Sequence, residues 1–213
     1  MNPFQPPVSG ATLVFNGCDL DNWRTRSGAP AGWSVSDGVM HVVPKTGDIM
    51  TVERFTDFQM HLEFMTPYMP EAKGQARGNS GVYLQGRYEI QVLDSYDLAI
   101  PGMGDCGAFY NQFAPLVNGC RPPLEWQTYD VMFRAPRVNA QGEVVEPVRI
   151  SVLHNGIVIQ NNVQLPGVTG GAIDENVGEP GPLLLQDHGD LVRYRNIWIR
   201  ELPLKGSDTY EPR

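Results

Sequence analysis

The sequence predicts an all-β protein, an antiparallel two-sheet β-sandwich of the jelly-roll type, and three observations carry that reading. Its 213 residues include 23 glycines and 18 prolines, spread along the whole chain at a density that favours short strands and turns over helices. Apolar and polar residues alternate in short runs, each bounded by turn residues. No segment of about a dozen residues holds the i, i+3, i+4, i+7 spacing of an amphipathic helix, and no repeat of fixed period points to a solenoid or propeller. A chain of this length fits one domain that removes roughly 70% of its unfolded surface from water.

Each element follows from local residues. Residues 1–10 hold three prolines and read as an extended arm before a single domain at 11–203, with 204–213 as a tail. Trp33 to Val43 contains Ser36-Asp37-Gly38, a hairpin signal. From Phe58 to Met65, Phe58, Met60, Leu62 and Phe64 alternate with Gln59, His61 and Glu63, which predicts a strand with one wet face. Tyr68 to Gly78 reads as loop. Ser80 to Leu84 and Tyr88 to Leu93 are strands around Gln85-Gly86-Arg87. The 95–124 connection, rich in Gly, Pro and Asn, has no clear period, and so long a loop inside a compact domain is usually functional. Trp126 to Phe133 and Val148 to Leu153 return to strand, His154-Asn155-Gly156 turns into Ile157 to Gln160, and Pro182 to Gln186 and Leu191 to Leu202 finish the chain around Asp187-His188-Gly189-Asp190. The total is about ten to thirteen short strands.

Composition narrows the function. A net charge of −8 has the wrong sign for neutralising phosphates or anionic lipid over a broad face, which argues against nucleic-acid and membrane-surface roles. No run of apolar residues is long enough to span a bilayer, and the opening MNPFQPPVSGATLVF lacks the pattern of a secretory leader. Localisation stays open on the residues alone. Of the three cysteines, Cys106 and Cys120 bracket a loop where a disulfide is geometrically feasible, with two ordinary thiols as the alternative. Neither CxxC spacing nor a nearby histidine pair marks a zinc site.

The densest polar constellation is RGNSGVYLQGRYEIQVLD, residues 77–94. With a strand period of two, Ser80, Val82 and Leu84 share one face and Asn79, Gly81, Tyr83 and Gln85 the other. In the next strand Tyr88, Ile90 and Val92 point inward, leaving Glu89 and Gln91 beside those polar groups, Asp94 at the strand end and Arg77 and Arg87 on the flanks. A solvated sheet face is the bland alternative. Amides and tyrosines, however, offer the paired donors and acceptors that bind sugar hydroxyls, and sheet twist bends such a face into a groove. Exposed salt bridging is the commoner fate of the arginines.

A second constellation is Gln186-Asp187-His188-Gly189-Asp190. Carboxylates beside His188 suit it to proton transfer near neutrality, and Asp187 and Asp190 could instead hold a divalent cation or cap the turn. Glu125-Trp126 pairs an acid with an indole, suited to stacking a sugar face, or else Trp126 is core. Trp23 and Trp33 read as core anchors.

The segment EIQVLD resembles the E-x-D-x-x-E strand of jelly-roll endoglucanases, with Gln91 and Asp94 in place of its second and third acids, a departure that widens the carboxylate gap a retaining pair needs. Over Phe15 to Leu202 the chain more fully resembles the 3-keto-disaccharide hydrolase domain family, through FNGCDLDNW, WSVSDGVM, GNSGVYLQGRYEIQVLD, GAFYNQFAPLVNGCRPPLEWQTYDV, LHNG and LLLQDHGDLVRYRNIWIREL. That resemblance implies a concanavalin A-like sandwich and an enzyme that hydrolyses or eliminates across the glycosidic bond of a 3-keto-glycoside. It also implies a partner sugar 3-oxidoreductase that makes the ketone, and a periplasmic or secreted location. A base at C2, an acid for the departing oxygen and an electrophile at the enolate are required. The residues that fit are Glu89 or His188 as base and Asp94 or Asp187 as acid or cation ligand. Asn79, Tyr83, Gln85, Arg87, Gln91, Glu125, Trp126 and Gln186 are left to bind sugar. A non-catalytic carbohydrate-binding module and a conventional retaining β-glucanase are the competing readings. Oligomeric state is not legible.

Overall fold

The computed structural model describes residues 6–206; the outer parts of the expected arm and tail lie outside the described residues. Strands β1 (Thr12–Leu13), β2 (Trp23–Thr25), β3 (Ser34–Ser36), β4 (Val39–His41), β5 (Ile49–Thr51), β6 (Phe58–Met65), β7 (Ser80–Leu84), β8 (Tyr88–Val92), β9 (Gln127–Arg134), β10 (Arg137–Val138), β11 (Val144–Glu146), β12 (Arg149–His154), β13 (Ile157–Gln164), β14 (Leu184–Leu185) and β15 (Arg193–Glu201) are joined by turns and one short 3-10 turn at Gly74–Ala76. All strand pairs are antiparallel. The large sheet runs β13-β12-β9-β6-β15-β4-β3, with β1 added against β15, and the small sheet runs β2-β5-β14-β7-β8. The sandwich is therefore as predicted. The pieces the sequence hid are the short strands β1, β2, β5, β10 and β11, which have too few residues to show alternation.

Three of the expected turns have the backbone their residues call for. Asp37 and Gly38, Gln85 and Gly86, and Asn155 and Gly156 all take positive φ, the left-handed pair that matches strand twist in a two-residue hairpin. The core lies between the sheets. Phe58, Met60, Leu62 and Phe64 of β6 and Tyr129, Val131 and Phe133 of β9 meet Val82 and Leu84 of β7 and Tyr88, Ile90 and Val92 of β8. Trp23 and Trp33 belong to it, as expected. Hydroxyls also cross the core: Tyr194 donates to Ser80 Oγ at 2.7 Å and Tyr129 to the Gln91 carbonyl at 2.7 Å, which satisfies polar groups that burial would otherwise strand.

The outer face of β6 is not wet. His61 and Glu63 are fully buried because the neighbouring strands partner them. His61 Nδ1 is 2.7 Å from Asp130 on β9 and its ring stacks on Trp198 of β15 at 5.4 Å. Glu63 takes a 2.7 Å ion pair from Arg195 and a hydrogen bond from Asn196. Trp126 lies over the Arg195 guanidinium at 4.0 Å. Burial opposes ionisation of both groups, yet the hydrogen bonds and opposite charges outweigh it: His61 is held above its ordinary pKa and Glu63 below its own. Period-two alternation reports which face a residue takes, not whether partners close over it.

Removing Glu63 leaves a buried imidazole and a partly buried guanidinium without their shared carboxylate. Glu63→Ala is expected to lower unfolding free energy by about 3–5 kcal/mol, measured by urea denaturation near neutral pH; a loss below about 1 kcal/mol, the value of an exposed pair, would contradict the buried network.

Candidate active site

The β7–β8 hairpin builds the site. Its register sets Tyr83 opposite Glu89 and Gly81 opposite Gln91 on the outer face of the small sheet, while β14 pairs with β7 and delivers Gln186 just beyond its end. These side chains line a pocket of about 270 Å³ with Gln75, Asn79, Tyr110, Gly170, Gly171 and His188, a volume closer to one sugar ring than to an extended polymer. Glycine is required at two places. At Gly81 a Cβ would stand 2.4 Å from Glu89 Oε1, and at Gly171, with φ +77°, it would stand 2.7 Å from the Tyr83 hydroxyl.

Three loops close the rim. In the 95–124 connection, Gly107 and Ala108 hydrogen-bond the Gln91 backbone and Tyr110 N donates to the Glu89 carbonyl, so the loop runs as an irregular edge beside β8 and brings Tyr110 in. The 165–183 loop is held by Arg87, which is almost fully buried and pairs with Asp174 at 2.6 Å and the Glu179 carbonyl at 2.8 Å. Its Gly170 carbonyl accepts from the Tyr83 hydroxyl at 3.1 Å. The 186–192 loop crosses from the small sheet to the large one and carries His188. Asp187 accepts from the amides of Gly47 (3.0 Å) and Gly189 (3.0 Å), and Asp190 from that of Asn79 (2.7 Å). Arg26 donates to the Gly171 carbonyl at 2.7 Å and pairs at 2.7 Å with Asp48, whose carboxylate also accepts from the Asp187 amide at 2.9 Å, which links the 165–183 and 186–192 loops.

Glu89 is the acid of the pocket. It is the one carboxylate among the described residues lining the pocket and is nearly inaccessible. Burial pushes its pKa up to about 7, with the neighbouring Tyr83 hydroxyl pulling the other way and the Asp48 charge adding to the rise. Tyr83, buried beside that carboxylate, is held far above its ordinary range and stays a neutral hydroxyl. The Gln91 amide reaches Gln75 at 3.0 Å and Asn79 at 3.3 Å, and its other end stands 3.1 Å from Glu89 Oε1. A neutral Glu89 can donate to a carbonyl oxygen there, whereas an ionised one calls for the amide turned to present its NH2. Gln186 gives its Nε2 to Tyr83 at 3.3 Å, while its Oε1 has no partner and is available to a ligand hydroxyl.

Of the residues singled out from sequence, Asn79, Tyr83, Glu89, Gln91, Gln186 and His188 converge on the pocket. The others do not. Asp94 is buried against Arg77 at 2.8 Å and caps its own strand end, and Asp187 is spent on the two loop amides just described. Gln85 turns inward to the carbonyls of Phe55 and Thr56 at 2.9 and 3.3 Å, because the positive φ of the hairpin turn ends the alternation one residue early. Arg87 is a loop anchor. Glu125 and Trp126 lead into β9 of the large sheet, where Trp126 covers Arg195. Sequence reasoning missed Gln75, Tyr110 and the Gly170-Gly171 pair; only Gly-Gly carried a local signal, as a turn. Asp187 and Asp190, committed to backbone amides, do not gather a third ligand. Among the described residues, the one converging group of three metal-ligating side chains is Cys106, Cys120 and His154.

Residues 10–200 match the family described as the 3-keto-alpha-glucoside-1,2-lyase-like domain. A candidate glycosyl hydrolase of known structure from Parabacteroides distasonis ATCC 8503 is 42% identical, with 91% of this chain and 84% of that one covered and a TM-score of 0.83. Two more structures of that description from the same organism, 24% and 23% identical, have TM-scores of 0.67 and 0.62 over 91% and 90% of this chain and 94% and 99% of theirs; at that identity they speak for the fold alone. No curated protein matches the chain.

Holding an acid that ionises near neutrality in this position costs stability. Glu89 binds its proton more tightly folded than unfolded, so the penalty is absent below its ordinary pKa of 4.5, grows as pH rises toward about 7 and then stays constant. Glu89→Gln removes it. The variant is expected to be more stable than the parent by on the order of 3 kcal/mol at about pH 8, with the difference fading below about pH 4.5; urea midpoints at the two pH values measure this, and a variant equally destabilised at both would refute it.

Proposed function

This chain belongs to the family of 3-keto-alpha-glucoside-1,2-lyase-like domains and carries a glycosyl-hydrolase-like fold, and from that premise we propose that its pocket opens the glycosidic bond of a glycoside already oxidised at C3. The observation that carries the reading is a single buried carboxyl with a pKa near 7 in a one-ring pocket shared with a histidine. A retaining glucanase needs two carboxylates about 5–5.5 Å apart, and this pocket is lined by one. A ketone at C3 removes that need, because it acidifies the C2 hydrogen.

Glu89 takes the C2 proton. The electron pair moves onto the C3 oxygen as an enolate, then returns to form the C1–C2 double bond while the C1–O bond breaks. His188, on the pocket rim, gives a proton to the departing oxygen. One proton leaves the sugar and one reaches the leaving group, so the step balances, and water adding across C1–C2 completes net hydrolysis. The amides of Asn79, Gln75 and Gln91, which line the pocket, supply donors for the developing enolate, and Gln186 Oε1 accepts from a sugar hydroxyl. The carbonyl substrate would be supplied by a sugar 3-oxidoreductase, in the periplasm or outside the cell.

An aryl 3-keto-glucoside is expected to release its aglycone while the unoxidised glucoside does not. Glu89→Gln and His188→Ala should each reduce the rate by about 10²–10⁴-fold, and kcat/KM should rise with pH through about 7 as Glu89 ionises. Turnover of the unoxidised glucoside would favour a conventional glycosidase, and saturable sugar binding without turnover of either would make the domain a lectin.

A further inference from the structure

Behind the pocket, where the 95–124 loop meets the large sheet, Cys106, Cys120 and His154 bring their sulfur and nitrogen atoms within 4.8 Å of one another. His154 ends β12, and both it and Cys106 are buried; Cys120 is half-buried. The cysteines are free thiols. His154 Nε2 lies 2.9 Å from Gln127 Oε1, and that oxygen also accepts from Arg121 N at 2.9 Å. Gln127 Oε1 is thereby an acceptor, so Nε2 carries the imidazole proton and Nδ1 is left with a bare lone pair. That Nδ1 is fully buried and has no hydrogen-bond partner. An orphaned acceptor in a dry interior costs free energy unless something occupies its lone pair.

We propose that Cys106, Cys120 and His154 form a structural zinc site that staples the pocket's 95–124 loop to the large sheet. The donor chemistry selects the cation. Two thiolates and a neutral imidazole cancel the charge of a divalent ion, which suits a buried position, and sulfur with imidazole is the ligand set of tetrahedral Zn2+. Gln127 supplies the outer hydrogen bond that fixes a ligating histidine's tautomer. Water entering beside half-buried Cys120 provides the fourth ligand. Gly119 leaves room for the loop, since a Cβ there would stand 3.0 Å from the His154 ring. A Cys106–Cys120 disulfide would explain the paired sulfurs but would leave Nδ1 orphaned.

The staple bears on the pocket because the residue after Cys106, Gly107, donates to the backbone of Gln91. The test is metal binding by the full chain, purified under reductant, stripped with chelator and then titrated with Zn2+ or Co2+. One equivalent of Zn2+, a rise in melting temperature with metal, and tetrahedral Co2+ bands with thiolate charge transfer are expected. Cys120→Ser should weaken both the binding and the charge-transfer band, which scales with the number of bound thiolates, and Gln127→Ala should weaken binding by about 10–100-fold. Absence of stoichiometric binding by the reduced wild-type chain would overturn the site, whether its thiols then titrate as free or close to a disulfide in air. A Co2+ spectrum unchanged in folded Cys120→Ser would also overturn it.

Discussion

The pairing of Tyr83 with Glu89 across the β7–β8 hairpin is the constraint from which the rest of the site follows. A two-residue turn at Gln85-Gly86 fixes that register, and a slip by one residue would turn Glu89 into the core and Ile90 into the pocket. Once the carboxyl is on the outer face, its surroundings decide its chemistry. The loops that shut out water raise its pKa, and the hydroxyl opposite it, kept neutral by the same burial, limits the rise. Gly81 then follows from sterics, as its missing side chain is the space that the carboxyl occupies.

Much of this was legible in the residues. The hairpin turns at Asp37-Gly38, Gln85-Gly86 and Asn155-Gly156 announced themselves through residues that tolerate positive φ, and the inward rows of β6, β7 and β8 through alternation. The polar face of residues 79–91 and the His188 turn were also visible, though nothing in one dimension put them on the same pocket. What failed did so for a consistent reason: a carboxylate or arginine in sequence does not reveal its partner. Asp94, Asp187, Arg87 and Gln85 all had the right chemistry, and all are consumed by contacts with Arg77, loop amides, Asp174 and the Phe55 carbonyl. Tyr110 was hidden because it reaches the pocket from a segment with no period at all.

Buried polar groups do two kinds of work here. On the outer face of the large sheet, partly exposed Asp130 and Arg195 pair with buried His61 and Glu63, so that opposite charges tie neighbouring strands together, although His61 Nε2 is left without a hydrogen bond. In the pocket the satisfaction is incomplete, with Gln186 Oε1 unpartnered and Glu89 balanced between two protonation states. The difference separates a polar cluster that holds strands together from one prepared for a guest.

The 186–192 loop leaves the small sheet at β14 and enters the large one at β15, so His188 is positioned by one layer of the sandwich at each end while Glu89 is carried by the small layer alone. Glu89 and His188 therefore face one pocket from supports that belong in part to different layers. A core substitution that lets the layers shear by a fraction of an ångström can leave the protein folded yet throw that arrangement out, which makes turnover a finer gauge of interlayer fit than any melting curve.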